Sequence, residues 1–347
     1  MRLKKRYFLR GALVLICICL IGMAGFVAKH YYRLEIENFG AKANGSNSYY
    51  IYPNTSIDEV LDMMEADYYI GSRQDFKLHA KLMHFHYPEP GFYTFDSIIS
   101  NRELIDRLKL GKQTPIELTW NNSIRTREQL AGLISSKLMM DSVTLLHCLE
   151  DSAFLAPYGM NKETSRCLFI PNTYQVYWTF TPEQLFGRMK REFDSFWNAE
   201  RMEKANRLNL TPVEVTIVAS IIEGESHNKS ELPIIASLYL NRVRKGMLLQ
   251  ACPTIIYAVG DFSLRRVLTR HLEIDSPYNT YKRRGLPPGP IRCPAPQSID
   301  FVLNAPKTNY LYMCANPALD GTHIFSADYS IHQRAANEYH KMMNHLQ

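Results

Sequence analysis

No G-x-S-x-G elbow, no H-E-x-x-H pair and no phosphate-binding glycine loop occurs in the chain. That removes the usual signatures of serine hydrolases, zinc proteases and nucleotide-dependent enzymes. No two cysteines stand as C-x-x-C. Cys17 and Cys19 fall in an apolar run, and Cys148, Cys167, Cys252, Cys293 and Cys314 are scattered. A disulfide framework is excluded, although one pair remains free to oxidise. His84 and His86 flank Phe85 and would share a strand face, but no third ligand follows at a metal-binding spacing. Neither metal nor cofactor is therefore expected. Internal repeats and low-complexity tracts are missing too. So is a basic body: the net charge is +6, yet residues 1–33 hold seven of the 40 Lys and Arg and no acid, leaving 33 basic against 34 acidic residues elsewhere. A nucleic-acid-binding surface keeps its basic excess, so nucleic acid is not an expected partner.

What is present is a chain of 347 residues, 46% hydrophobic and 21% charged, enough for two or three globular domains. One long apolar run stands out, Gly11 to Ala28. With its flanking aromatics it reaches the roughly 20 residues needed to cross a bilayer core of about 30 Å. The basic cluster ahead of it predicts a cytoplasmic N-terminus. No clean A-x-A cleavage site follows, so a retained anchor is expected instead of a removed signal peptide. The divisions expected are a cytoplasmic tail (1–8), a transmembrane helix (9–29), a polar connector (30–48), a small module (49–112) and a larger domain (113–347).

The class expected is α+β. In the small module, a strand near Tyr49, a helix capped by Ser56 and Glu59, a helix near Phe76 to Met83, the strand-like GFYTF at Gly91 and a helix capped by Ser100 and Glu103 follow in order. The larger domain begins with a strand near Pro115 to Trp120 and a helix capped by Thr126 and Gln129. A short helix at Ser142 to Glu150, an extended aromatic stretch at Phe169 to Tyr177 and a helix from Pro182 towards Asn198 come next. Beyond residue 250 the composition, rich in Pro, Gly and Tyr, suits ordered loops around a site.

The larger domain is organised around Thr211 to Ser226, TPVEVTIVASIIEGES. Thr211 and Glu214 form a capping box and Pro212 suits the first helical position. Val213, Val215, Ile217, Val218, Ile221 and Ile222 make the helix apolar nearly all round, so it is predicted to be buried. Thr216, Ala219, Ser220 and Glu223 share the remaining face, which suggests a groove with an acid at its end. An acid closing an apolar helix is a candidate for a raised pKa. Gly224 either ends the helix or admits a close neighbour. A second helix, Ser230 to Lys245, is stopped by Gly246. Gln250 to Thr254 and Asn279-Thr280-Tyr281 read as polar and aromatic binding loops.

Taken together, VASIIEGES, LYLNRVRKGMLLQ, PTIIYA, SPYNTYKRRGLPPGPI and THIFSADYSIHQRA, in that order, resemble the endolytic murein transglycosylases (YceG-like). The resemblance runs from about residue 49 to the end and is strongest over 217–336. It implies a single-pass enzyme of the bacterial inner membrane, its catalytic part periplasmic, acting on nascent peptidoglycan strands. It also implies a LysM-like module over 49–112. By the same resemblance the catalytic acid is Glu223 and Tyr278 to Tyr281 form part of the substrate cleft; Gln250, Asn279 and Tyr281 are the side chains expected to hold sugar groups. The reaction implied is cleavage of the MurNAc-GlcNAc bond to leave a 1,6-anhydro end, limiting glycan elongation beside the synthases that polymerise it. Two positions depart from the family pattern, Cys252 and Asn172, where acids are usual. Two alternatives stand beside this reading: a two-carboxylate glycoside hydrolase using Glu225, Asp261 or Asp275, and an anchored glycan-binding protein without activity.

Overall fold

The computed structural model describes residues 2–35, 37–95, 98–226, 228–264 and 266–345. The chain divides into two compact units, one of residues 1–116 with 176–179, the other of residues 117–175 with 180–347.

The first unit begins with α1 (Arg2–Glu35). Within it, Arg10–Lys29 is long and apolar enough to cross a membrane, and none of that stretch is buried within the protein. There follow β1 (Glu37–Ala41), β2 (Ser48–Ile51), α2 (Ile57–Asp67), β3 (Tyr68–Ile70), α3 (Arg73–Leu82), β4 (Gly91–Thr94), β5 (Ile98–Ser100) and α4 (Asn101–Lys109). β1 lies between β3 and β5, antiparallel to both, and β2 pairs antiparallel with β4 in the register Tyr49 to Tyr93 and Ile51 to Gly91. Phe39, Tyr68, Phe76, Tyr93, Leu104 and Leu108 share one core. The expected connector at 30–48 is therefore corrected. Residues 31–35 continue α1, and Phe39 of β1 is a core residue of the module. Polar neighbours hide a short strand whose inward side chain is a single aromatic. Residues 176–179 return to this unit, where Trp178 packs on Tyr50 and Tyr52.

The second unit continues through β6 (Ile116–Thr119), α5 (Arg127–Ser135), α6 (Ser142–Glu150), α7 (Ser152–Leu155), β7 (Thr173–Val176), α8 (Pro182–Phe196), α9 (Ala199–Leu208), α10 (Pro212–Glu225) and α11 (Leu232–Arg244). It closes with α12 (Cys252–Val259), α13 (Thr269–Leu272), α14 (Pro296–Leu303), β8 (Tyr312–Ala315), β9 (His323–Ser326) and α15 (Tyr329–His345). β6 pairs with β7 and β8 pairs antiparallel with β9. The stretch 169–177 is extended only over Thr173–Val176, because residues 165–168 close into a 3-10 turn around the fully buried Arg166. The region after 250 holds more regular structure than its Pro and Gly content suggests. Pro253 and Pro296 stand in first turns, where proline starts a helix instead of breaking one. All seven cysteines are free.

Candidate active site

α10 is the centre of the second unit because its sequence caps and buries it. Thr211 Oγ1 accepts from the Glu214 N–H at 3.2 Å, and Glu214 Oε2 accepts from the Thr211 N–H at 2.8 Å. Every residue from Val215 to Ile222 is buried, against α9, α11, α12 and α14. The small-residue stripe is not a groove, which corrects the sequence expectation. Thr216 and Ser220 turn their hydroxyls back onto Pro212 O and Ile217 O, at 2.8 and 2.7 Å. Ser220 Oγ also accepts from the Ile291 N–H at 3.1 Å, so small side chains here admit a neighbouring backbone. Gly224 does the same one turn later. A Cβ there would lie 2.7 Å from Pro253 Cβ, nearer than side chains pack.

The last turn of α10 carries two acids, Glu223 and Glu225. Two residues advance a helix by about 200°, so they face different ways. Glu223 lines a cavity of about 640 Å³ together with Asn122, Arg125, Asn172, Lys229 and Arg292. The Asn122 Nδ2–H donates to its Oε1 at 2.5 Å and the Ala295 N–H, just ahead of α14, donates to its Oε2 at 3.0 Å. Both oxygens thus act as acceptors.

Glu225 lines a second cavity, of about 330 Å³, with Tyr239, Arg242, Gln250, Cys252, Tyr281 and His332. The Tyr239 hydroxyl donates to Glu225 Oε1 at 2.5 Å. Burial, opposed by that bond and by the charge of Arg242, pushes the Glu225 carboxyl from 4.5 up to about 7. Tyr239 stays a phenol, since burial and then Glu225 raise its pKa well above 10. Arg242 is pinned: Nε donates to Leu311 O at 2.6 Å, and Nη1 donates to Leu249 O at 2.9 Å and to Gln250 Oε1 at 3.1 Å. Cys252 Sγ lies 3.2 Å from the Tyr281 hydroxyl. His332 has its pKa lowered by burial and then by Arg242. Across the cavity, β9 is tied to Glu231 by the His323 N–H at 2.8 Å and the His323 ring at 2.9 Å.

The five residues singled out in the sequence do not converge on one cavity. Gln250 and Tyr281 stand with Glu225, and Glu223 stands apart from them. Asn279 is fully buried and donates both amide hydrogens to Leu272 O and Ile274 O, each at 2.8 Å, while its Oδ1 accepts from the Tyr281 N–H at 2.9 Å. It shapes the loop that presents Tyr281. Tyr278 is buried on Tyr257, its hydroxyl 3.4 Å from Glu163 Oε2. Gln250 is held at φ +53°, with its N–H on Thr280 O at 3.1 Å. Of the two departures from the family pattern, Cys252 belongs to the Glu225 cavity and Asn172 to the Glu223 cavity. Tyr239, Arg242, Asn122 and Arg292 went unseen in the sequence. Tyr239 and Arg242 lie on α11, one turn apart, and only the partner element gives that spacing a meaning. Asp261 and Asp275 line neither cavity; Asp275 pairs with Arg283 at the surface.

Residues 49–338 match the profile of the YceG-like family. A Bacillus subtilis (strain 168) protein named endolytic murein transglycosylase is 28% identical over 302 residues, covering 82% of each chain. A protein of the same name from Streptococcus pneumoniae (serotype 2, strain D39) is 23% identical over 355 residues, which cover 94% of this chain and 64% of that one. A crystal structure of a YceG-like protein from Listeria monocytogenes superposes with a TM-score of 0.54 at 26% identity, over 83% of this chain and 97% of that one. With most of its length inside the profile, the chain belongs to the YceG-like family.

Proposed function

We propose that this protein is a murein lytic transglycosylase in which Glu225 donates and then recovers the proton. The observation that carries the assignment is a carboxyl held by one phenol in the same cavity as Gln250 and Tyr281, an enclosure that raises its pKa to about 7. A general acid works best with a pKa near the working pH. Protonated Glu225 gives its proton to the bridging oxygen as the bond to the anomeric carbon breaks and the ring takes on oxocarbenium character. The carboxylate so formed takes the proton of the muramic 6-hydroxyl, whose oxygen attacks the anomeric carbon. A 1,6-anhydro end results, and no water is consumed. Tyr239 occupies Oε1 and leaves Oε2 for the sugar. Burial favours the acid before transfer, and Arg242 favours the carboxylate after it. One carboxyl serves both steps, so the pair of acids common in glycosidases is not required.

Glu223, the acid first indicated by the sequence, is the second reading, and the larger volume of its cavity favours it. Against it stands a protein donor already placed on each of its oxygens, where Glu225 has a donor on one oxygen only. Mass spectrometry of muropeptides released from uncrosslinked strands decides between them. Glu225→Gln is expected to abolish anhydro products, and Glu223→Gln to retain them. The opposite pattern returns the role to Glu223, and reducing ends in place of anhydro ends make the protein a hydrolase. A wild-type protein that holds strands without shortening them is a binding protein.

The setting proposed follows from the first unit. α1 anchors the chain in the inner membrane with its N-terminus cytoplasmic and the remainder periplasmic, as the basic residues ahead of the apolar stretch support. The β2–α2–α3–β4 order, with β2 paired to β4, supports a LysM-like glycan-holding module. Anchored there, the enzyme meets strands as synthases extrude them, and its cuts limit their length.

A further inference from the structure

The Glu223 cavity is left without a task if Glu225 performs the chemistry, and its charge is unbalanced. Arg125, Lys229 and Arg292 line it, and Glu223 is its single acid. Among the described residues none of these three cations forms an ion pair within 4.0 Å. The Arg125 guanidinium lies over the Phe262 ring, 5.0 Å from its centroid, and Lys229 Nζ is 3.5 Å from Gln297 Oε1. The Arg292 Nε is buried with no hydrogen-bond partner. Burial, and next the like charge of Arg125, lower the Arg292 pKa, and the charge of Glu223 opposes them only in part.

Such an arrangement costs free energy, because a buried donor without a partner keeps its desolvation penalty and like charges repel. It persists because the backbone around Arg292 is fixed. The Ile291 N–H is held by Ser220 Oγ at 3.1 Å and the Cys293 N–H by Ile124 O at 2.8 Å. The stem of Arg292 is therefore rooted at the cavity wall, and a planar fork of this kind suits a carboxylate. The side-chain amides of Asn121 and Asn172 add peptide-binding capacity, and the cavity's size falls in the range of small-ligand sites.

We propose that the Glu223 cavity is a subsite for the free carboxylates of the stem peptide carried by the glycan, with Arg292 and Arg125 as the recognising groups. This rests on the glycan-cleaving reading above. In a peptidoglycan strand the peptide hangs from the muramic residue beside the bond that is cut. Glu223 and Glu225 are two residues apart at the end of α10 and open on different sides of it, so a strand seated at Glu225 presents its peptide to the Glu223 cavity by passing round the end of the helix. The pyrophosphate of a lipid-linked strand offers the same oxyanion chemistry and is the competing source.

Calorimetry on the full chain in detergent tests it, with a soluble disaccharide–peptide as ligand, the same compound with its peptide carboxyls amidated, and inorganic pyrophosphate. Amidation is expected to weaken binding about tenfold or more, the loss of one charge-assisted hydrogen bond. Arg292→Gln should weaken the acidic ligand equally and leave the amidated one unchanged, and Arg292→Lys should recover part of the loss. Arg125→Gln, at a half-buried position, repeats the measurement should Arg292→Gln melt early. Equal binding of acidic and amidated ligands overturns the proposal, as does a loss on Arg292→Gln that amidation does not mirror. Pyrophosphate that displaces the amidated ligand as well as the acidic one assigns the site to the lipid and overturns it too. Binding is read without turnover, so a Glu225→Gln protein that still cleaved would sink the catalytic assignment and leave this result standing.

Discussion

Glu225 and Glu223 are chemically identical, two residues apart, and separated by what surrounds them. One receives a single phenol and a distant guanidinium in a small cavity; the other receives an amide and a backbone N–H in a larger one. If Glu225 must be protonated to start the reaction, kcat/KM is expected to be flat below pH 7 and to fall about tenfold per pH unit above it. The fall comes at high pH because the raised pKa belongs to the acid form. A pH–rate profile that instead turns near pH 4.5 removes Glu225 from the acid role. Gly224, between the two, tests how tightly that turn is held. Gly224→Ala drives a methyl into Pro253 and is expected to cost about 1 to 3 kcal/mol, as overpacking usually does. Urea melts of the second unit's fluorescence measure it.

At the scale of elements, what the sequence revealed and what it hid follow one rule. Helices opened by a cap were legible: Ser56 with Glu59, Thr126 with Gln129 and Thr211 with Glu214 each form the reciprocal box in the structure, and Ser100 accepts from the Glu103 N–H. α9 escaped notice because Ala205 is its one buried residue and leaves no apolar period. β1, β3 and β5 are three to five residues long, too short for alternation to register. β8 is half-buried throughout and β9 is so except at the buried Ser326, so neither alternates. The site was legible to the same degree. Helix α10 was legible, and Gln250 and Tyr281 share a cavity, but which acid they accompany depends on where α11 and α12 pack, and spacing along one helix does not carry that. Removing a cap tests the element directly. Thr211→Ala is expected to destabilise the protein by about 1 kcal/mol, read as a lower denaturant midpoint at unchanged slope.

At the scale of the molecule, the first of two compact units begins with a helix in which the stretch Arg10–Lys29 is apolar enough to span a membrane and is exposed throughout. The full chain is expected to partition with membranes and to resist extraction by high salt. A protein beginning at residue 37 should remain in solution and still cleave soluble strands. Release of the full chain by salt alone would show that α1 does not insert. The final segment has a further consequence. Residues 313–315, His323 and His332 form one side of the Glu225 cavity, and that side is fastened by Glu231 to His323 and by Arg242 to Leu311. With α10 folded and residue 312 not yet delivered, Glu225 would face an unwalled surface. On the proposed assignment, a chain made only as far as β8 lacks a complete cavity, so cleavage is expected to begin only once His332 has been delivered.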